Sequence, residues 1–365
     1  MAHPHRFLAT LRASFALCAA LSACGGSTTT PVASDAGAQT PSDLPIADAP
    51  VLDDVPAAVD VPAAVDVPAA VDVPAPEDRV EPPVVASSCD ALQAGTVQNF
   101  MVDGVARSFI LTLPTGATAP GGSWPVVFAW HGAGDNAMNF NGFLSGQVNN
   151  SAMPFILVTP FSTRLLPTTQ PSGLEWEQLT VRGPNRDARL FDAVLQCVRE
   201  RYGLDEDRVY TTGFSAGALM SDLLGVLRGD RLAAIAAFSG GYFNNPENPP
   251  TLGAARGFVS WPAPSSASRY PQLLAFGGDR DQISLVIASA QFYTYAANDV
   301  PWLNAAGHDV IVCDHGTGHT VPRALTGSLL VNFFQSHPRG TVRSPWGMTP
   351  PTGLPSYCRY SAGAP

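Results

Sequence analysis

Lysine is absent from this 365-residue chain, and all twenty basic residues are arginine. We attribute this to codon bias and draw no functional reading from it. Charged side chains make up only 14% of the residues, and the arginines form no stripe of the kind that tracks a nucleic acid backbone. The net charge of −10 is concentrated in one segment: residues 27–88 hold eleven Asp or Glu and a single Arg, whereas residues 89–365 hold nineteen acidic and seventeen basic side chains. Outside the N-terminus no run approaches the roughly 20 apolar residues that a membrane-spanning helix needs. The six cysteines follow no zinc-binding spacing, so no metal centre is expected. Aromatic residues are missing from Gly25 to Val85, which excludes a packed core there.

What is present begins with an export pattern. Arg6 and Arg12 supply positive charge, Ala13 to Ala20 form a short apolar stretch, and Leu21-Ser22-Ala23-Cys24 follows. The last four residues resemble the lipobox of bacterial lipoproteins, which implies removal of residues 1–23 and diacylation of Cys24. Gly25 follows the cysteine, and in Gram-negative lipoproteins this implies sorting to the outer membrane. Residues 24–88 are then a stalk. Asp-Val-Pro-Ala-Ala-Val recurs with a period of six from Asp54, Asp60 and Asp66, and in truncated form from Asp72. A proline in every repeat excludes a stable helix, and isolated valines cannot bury enough surface to order the chain. Its reach is roughly 45 Å as a coil and at most about 190 Å as polyproline II. The location expected is exported and held to the cell envelope by lipid, or periplasmic or extracellular without it.

From Cys89 to the C-terminus the texture changes to alternating elements. Strands are expected at Ser108–Leu113, Pro125–Trp130, Phe155–Thr159, Arg208–Thr212, Ala233–Phe238, Gln272–Phe276 and Asp309–Cys313. Helical periodicity occupies Asp187–Tyr202, Ala216–Leu227, Ser284–Tyr295 and Ala324–Ser336, and the Pro-rich end after His337 reads as an irregular tail. Short apolar strands alternating with helices imply an α/β domain, residues 89–365, with a mostly parallel sheet covered on both faces. Cys89, Cys197, Cys313 and Cys358 belong to this domain and, in an oxidising compartment, tend to pair; three connectivities are open.

The chemistry centres on Gly213-Phe214-Ser215-Ala216-Gly217. A serine hydroxyl is a weak nucleophile unless held beside a base and an oxyanion hole. The G-x-S-x-G elbow holds it on a tight strand-to-helix turn, and here a β-rich run, Arg208–Thr212, precedes it and an apolar helical face follows. The base should lie downstream, and Gly318-His319-Thr320-Val321-Pro322 sits after a late strand and before the last helix. His319 is the candidate base, with His315 in the same loop as its rival; His308 and His337 read as surface histidines. Gly277-Gly278-Asp279-Arg280-Asp281 offers two carboxylates to orient the imidazole, and the spacing favours Asp281 over Asp279. For the oxyanion hole one donor is the amide of Ala216 and the other comes from Ala133 or Gly134, in the turn His131-Gly132-Ala133-Gly134. His131 precedes the serine and is expected to hold that loop. Trp176 and Trp261 fall in loops, as cleft lining or ordinary packing.

These motifs resemble those of esterases grouped with polyhydroxybutyrate depolymerases and feruloyl or acetylxylan esterases, the carbohydrate esterase 1 type. The resemblance runs from about Val97 to Ser336 and is densest from Gly203 to Ser221, where Asp205-Glu206-Asp207-Arg208-Val209-Tyr210 leads into the elbow. It implies an α/β-hydrolase fold, a Ser215–His319–Asp281 triad, no cofactor and an ester substrate; feruloyl or acetyl esters on polysaccharide and hydroxyalkanoate polyesters all fit, and an exported, stalked enzyme suits a polymer. The family's Gly-His-Thr-x-Pro signature corresponds to Gly318–Pro322. Two departures stand out: Gly277 replaces a usual His in the acid motif, and Ala133 replaces a frequent Cys. The reading from another class is a non-catalytic surface lipoprotein that uses the fold for binding; an intact Ser, acid and His set argues against it.

The anchor is directly testable. Two or three acyl chains exceed the single chain that binds a membrane only marginally, so the mature protein is expected to partition with detergent and to begin at an acylated Cys24. Cys24→Ser should move it to the soluble fraction with unchanged specific activity. A mature N-terminus elsewhere, or one without acyl mass, would remove the lipoprotein assignment.

Overall fold

The computed structural model describes residues 83–86, 88–163, 176–177, 184–248, 261–263, 268–285 and 288–364. The expected signal peptide, Cys24 and the repeats lie outside the described residues. The chain already packs on the domain from Pro83, earlier than the compositional boundary at Cys89. Ala86 bridges to Val102, and the Val85 amide donates to Asp103 Oδ1 at 3.1 Å.

A hairpin opens the domain, β1 (Gly95–Val102) and β2 (Val105–Thr112). There follow β3 (Trp124–Trp130), α1 (Ala137–Asn141), β4 (Ile156–Pro160), α2 (Arg186–Tyr202), β5 (Leu204–Phe214), α3 (Ala216–Arg228), β6 (Ala234–Phe238) and β7 (Gln272–Phe276). The chain closes with a small hairpin, β8 (Gln282–Leu285) and β9 (Ala288–Gln291), then α4 (Phe292–Ala305), β10 (Val310–Asp314), α5 (Ser328–Ser336), α6 (Pro345–Met348) and β11 (Cys358–Ser361). Among the described residues, nine strands form one sheet in the order β1-β2-β4-β3-β5-β6-β7-β10-β11. From β4 to β10 all neighbours are parallel, and the pairings beyond, at both edges, are antiparallel. This is the α/β-hydrolase fold.

Strand periodicity sorts the core into two layers. On β3, Val126, Phe128 and Trp130 enter one layer, and Val127 and Ala129 enter the other. The first layer is covered by apolar residues of α2, α3 and α4, such as Phe191, Leu223 and Leu303. The second is covered from α1, α5 and α6 by Phe140, Phe334 and Trp346. Both faces of the parallel strands are therefore buried, which is why their sequences are continuous apolar runs.

Two expected elements are corrected. The helix expected over Ser284–Tyr295 holds only from Phe292 onward. Its first part belongs to the β8–β9 hairpin, registered Gln282↔Gln291 through Leu285↔Ala288, and α4 begins only at Phe292 and runs through Pro301. Small and β-branched residues there satisfy either period, and cross-strand pairing decided between them. The tail after His337 is not wholly irregular: α6 packs against the core, and β11 extends the sheet beside β10. His308 and His337 are buried, at 3% and 0% exposure, rather than on the surface. Burial pushes His337 down to about 4, and its two ring nitrogens meet the Phe333 carbonyl and Ser344 Oγ.

Of the three cysteine pairings, the structure holds Cys89–Cys197 and Cys313–Cys358. The first ties the start of the domain to α2, and the second joins directly opposed residues of β10 and β11. Beneath the loop after β6 lies a polar cluster whose carboxyls, among the described residues, accept from neutral donors. Asp222 of α3 accepts from the Gly241 amide (2.8 Å) and Gln272 Nε2 (2.9 Å). Asp299 of α4 accepts from the Tyr242 amide (3.0 Å) and from Asn245 and Asn248 (2.8 and 2.7 Å). Burial raises the Asp299 carboxyl to about 7 against these donated bonds, and burial with the nearby Asp299 charge holds Asp222 well above the usual carboxylate range.

Two measurements check these features. Cys89 and Cys197 close a span of 108 residues, for which chain entropy gives about 4–5 kcal/mol. The double variant Cys89→Ser/Cys197→Ser should melt on the order of 10 °C lower, and an unchanged Tm would argue against the pairing. Because Asp299 binds its proton more tightly folded than unfolded, its contribution to stability is complete below about pH 4. It is lost as pH rises through about 7. Wild type should therefore lose Tm between pH 4 and 7 more steeply than Asp299→Asn, and superimposable profiles would contradict the assignment.

Candidate active site

Ser215 stands between the end of β5 and the start of α3, with φ 55° and ψ −119°. A non-glycine residue in this region is uncommon and stores strain that its surroundings must sustain. The surroundings here are backbone. A Cβ on Gly213 would lie 2.2 Å from Gly217 C and O, and one on Gly217 would lie 1.9 Å from the Trp130 carbonyl oxygen. Both glycines of the motif are therefore required by close packing of α3 against the ends of β5 and β3. The Ser215 amide donates to the Phe238 carbonyl of β6 at 2.9 Å, and the residue is 5% exposed.

His319 and Asp281 arrive from β10 and β7, parallel strands paired with each other and separated from β5 by β6. His319 lies in the loop after β10, and Asp281 follows a 3₁₀ turn after β7. His319 Nδ1 donates to Asp281 Oδ1 at 2.7 Å. The other oxygen, Oδ2, accepts from Ser239 Oγ (2.8 Å) and from the Gly277 amide (2.9 Å), so the fully buried carboxylate is satisfied on both sides. The imidazole is flanked by Phe214, with centroids 4.6 Å apart, and by Phe292 at the start of α4, stacked at 4.9 Å. Phe214 is the residue before Ser215, so this contact sets the His319 imidazole beside the Ser215 turn. Ser215 and His319 are not hydrogen-bonded to each other; such contacts are often long at rest and tighten around a substrate.

Asp279 is exposed, and Arg280 donates to the Gly316 carbonyl at 2.7 Å. His315 sits in the His319 loop, bonded to Thr317 Oγ1 at 2.6 Å. The glycine at 277 has a local cause: its carbonyl accepts from Gly318 N at 2.8 Å, and a Cβ there would stand 1.9 Å from Gly318 O. The acid loop and the base loop touch through backbone, and no side chain fits between them.

The turn after β3 passes beside the serine. A Cβ on Gly132 would lie 3.3 Å from the Phe214 carbonyl oxygen and 3.5 Å from Ser215 Cβ. The loop then continues through Ala133 and Gly134, the latter at φ 78°. Ala216, on the other side, opens α3, and the first amides of a helix have no acceptor within it. His131 is buried, and its Nδ1 meets the Gly132 carbonyl at 2.9 Å. Trp176 is also fully buried and packs on Trp130 and His131, while Trp261 packs on Phe243; both are core residues here.

Ser239 and Phe292 escaped the sequence reading. Ser239 has φ 58°, a second strained serine, just past the end of β6, the strand next to β5. The run Phe238-Ser239-Gly240-Gly241 at the end of an apolar strand was its available signal. Phe292 had none, since its contact with His319 joins residues far apart in the chain.

No family model matches the chain. A stretch of 152 residues, 41% of the chain, is 26% identical to Feruloyl esterase D of Neurospora crassa, and 115 residues, 32% of the chain, are 30% identical to Feruloyl esterase B of Talaromyces stipitatus. The matched stretches span 50% and 31% of those proteins. Among solved structures, native pOPH has a TM-score of 0.57 at 17% identity, covering 74% of this chain and 95% of that one. Native sOPH has 0.57 at 18%, covering 75% and 95%. At this identity the likeness establishes the fold.

Proposed function

We propose that the chain is a serine hydrolase of carboxylic esters, with Ser215 as nucleophile, His319 as base and Asp281 as the acid that orients it. The observation that carries this reading is the 2.7 Å His319–Asp281 pair standing against the strained Ser215 elbow. Because Nδ1 is engaged by Asp281, Nε2 is the nitrogen left to accept the serine proton. Ser215 Oγ then adds to the ester carbonyl, and the negative charge on oxygen is received by the Ala216 amide and by Ala133 or Gly134. The imidazolium, stabilised by Asp281, returns its proton to the departing alcohol. Water repeats the cycle and releases the acid. The names of the two curated relatives, both feruloyl esterases, support an ester substrate. The substrate class we propose is polymer-linked esters: feruloyl or acetyl groups on polysaccharide, or polyhydroxyalkanoate-type polyesters. An exported enzyme on a lipid-anchored stalk suits a polymer too large to import.

Replacing Ser215 with Ala should leave less than about a hundredth of the hydrolysis of a p-nitrophenyl ester and abolish fluorophosphonate labelling, with Tm nearly unchanged. Asp281→Asn should lower kcat by about 10⁴-fold, since an amide cannot stabilise the imidazolium, while Asp279→Asn should change it only a few-fold. Substantial activity in the Ser215 variant, or the opposite ranking of the two aspartates, would refute the triad.

A further inference from the structure

The reading of Ser215 as nucleophile assigns the oxyanion loop, His131 to Gly134, no support beyond its own turn. The structure supplies one from a distant part of the chain. Trp176 is fully buried, and its indole Nε1–H donates to the His131 carbonyl at 2.9 Å. Its ring packs edge-on against Trp130, with centroids 5.0 Å apart, and lies 4.7 Å from the His131 ring. On another side the same carbonyl faces α3, where a Cβ on Gly217 would come within 2.7 Å of it. The peptide unit is planar, so fixing the His131 oxygen also fixes the direction of the Gly132 N–H. Gly132 is the residue whose Cβ position lies 3.5 Å from Ser215 Cβ, and from it the loop runs to Ala133 and Gly134.

Trp176 is itself held at the next residue. The Glu177 amide donates to Asp187 Oδ2 at 2.7 Å, and Asn185 Nδ2 donates to the Glu177 carbonyl at 2.9 Å. Asn185 caps α2, accepting from the amides of Asp187 and Ala188 at 3.1 and 2.9 Å. Asp187 Oδ1 pairs with Arg107 of β2, both side chains 1% exposed, and Arg107 also donates to the Arg186 carbonyl at 2.8 Å. A buried ion pair of this kind is costly to break once formed. The chain of contacts thus runs from β2 through the N-terminus of α2 to the indole and on to the loop beside the nucleophile.

We propose that Trp176 is a positioning residue for the oxyanion hole: its indole N–H, anchored through the Arg107–Asp187 pair, fixes the peptide plane from which the loop amides are aimed at the developing oxyanion. This rests on the esterase reading of Ser215. A misaimed donor costs transition-state stabilisation rather than ground-state binding, so the effect belongs in kcat.

The test replaces Trp176 site-specifically with 3-benzothienylalanine, which keeps the indole shape and puts sulfur in place of N–H, alongside Trp176→Phe. Ester hydrolysis, Tm, and inhibition by an arylboronic acid, which forms a tetrahedral anionic adduct on a serine hydroxyl, are measured for each. The expected result is a fall in kcat of about 10–100-fold, KM within about two-fold, boronate affinity weakened by a similar factor to kcat, and Tm for the benzothienyl protein within a few degrees of wild type. An unchanged kcat and boronate affinity in the benzothienyl protein would overturn the proposal. So would a kcat loss that tracks Tm while boronate affinity stays the same. Trp176→Phe need not fold for these outcomes to be read. If the wild type neither hydrolyses esters nor labels with fluorophosphonate, the esterase reading fails first and takes the proposal with it. A wild type that does both isolates the proposal from that reading.

Discussion

The close approach of α3 to the end of β3 is the constraint from which the site follows. Gly217 touches the Trp130 and His131 carbonyls, and Gly213 touches Gly217, with distances that admit no side chain at either glycine. Only with that contact made does the chain between them turn so sharply that Ser215 takes a left-handed conformation. The strain of one residue is sustained by the packing of a helix with eleven buried residues against the sheet. The same contact brings the loop from His131 to Gly134 alongside Ser215, so serine and loop are set by one packing event rather than two.

Around this point the fold distributes buried carboxylates with different partners. Asp187 is paired with a guanidinium and braces the entry of α2. Asp281 meets an imidazole on one oxygen and two neutral donors on the other, an arrangement that holds a ring in one orientation and leaves its far nitrogen available. Among the described residues Asp222 and Asp299 accept from neutral donors, and burial drives them toward the protonated form. The first pattern gives rigidity and the second directs a base. The third holds the start of the loop after β6 through carboxyls that burial favours in the protonated form. Chemically identical groups are separated by what surrounds them.

Much of the domain could be read from local pattern. The parallel strands are apolar runs because both their faces are covered, and α2 and α3 carry their periodicity plainly. The elbow, the Gly-His-Thr-x-Pro loop and the acid loop were visible because tight turns demand glycine and catalytic side chains sit at strand ends. Reading failed where the pattern was ambiguous or the partner distant. Residues 284–295 suit strand and helix alike, and β11 is a strand only because β10 offers an edge and a cysteine opposite Cys358.

The sequence by itself determined the alternation of elements, the turn that must hold Ser215, and the candidates for base and acid, since each depends on residues within a few positions of one another. Spacing favoured Asp281 over Asp279 and the fold makes the contact with His319, but tertiary structure alone decided which cysteines pair and that Ser239, Phe292 and Trp176 border the site. Those contacts join residues 27 or more positions apart. No local propensity specifies such contacts; they exist because parallel strands bring the ends of separate loops to one edge of the sheet, where burial and hydrogen bonding select among them.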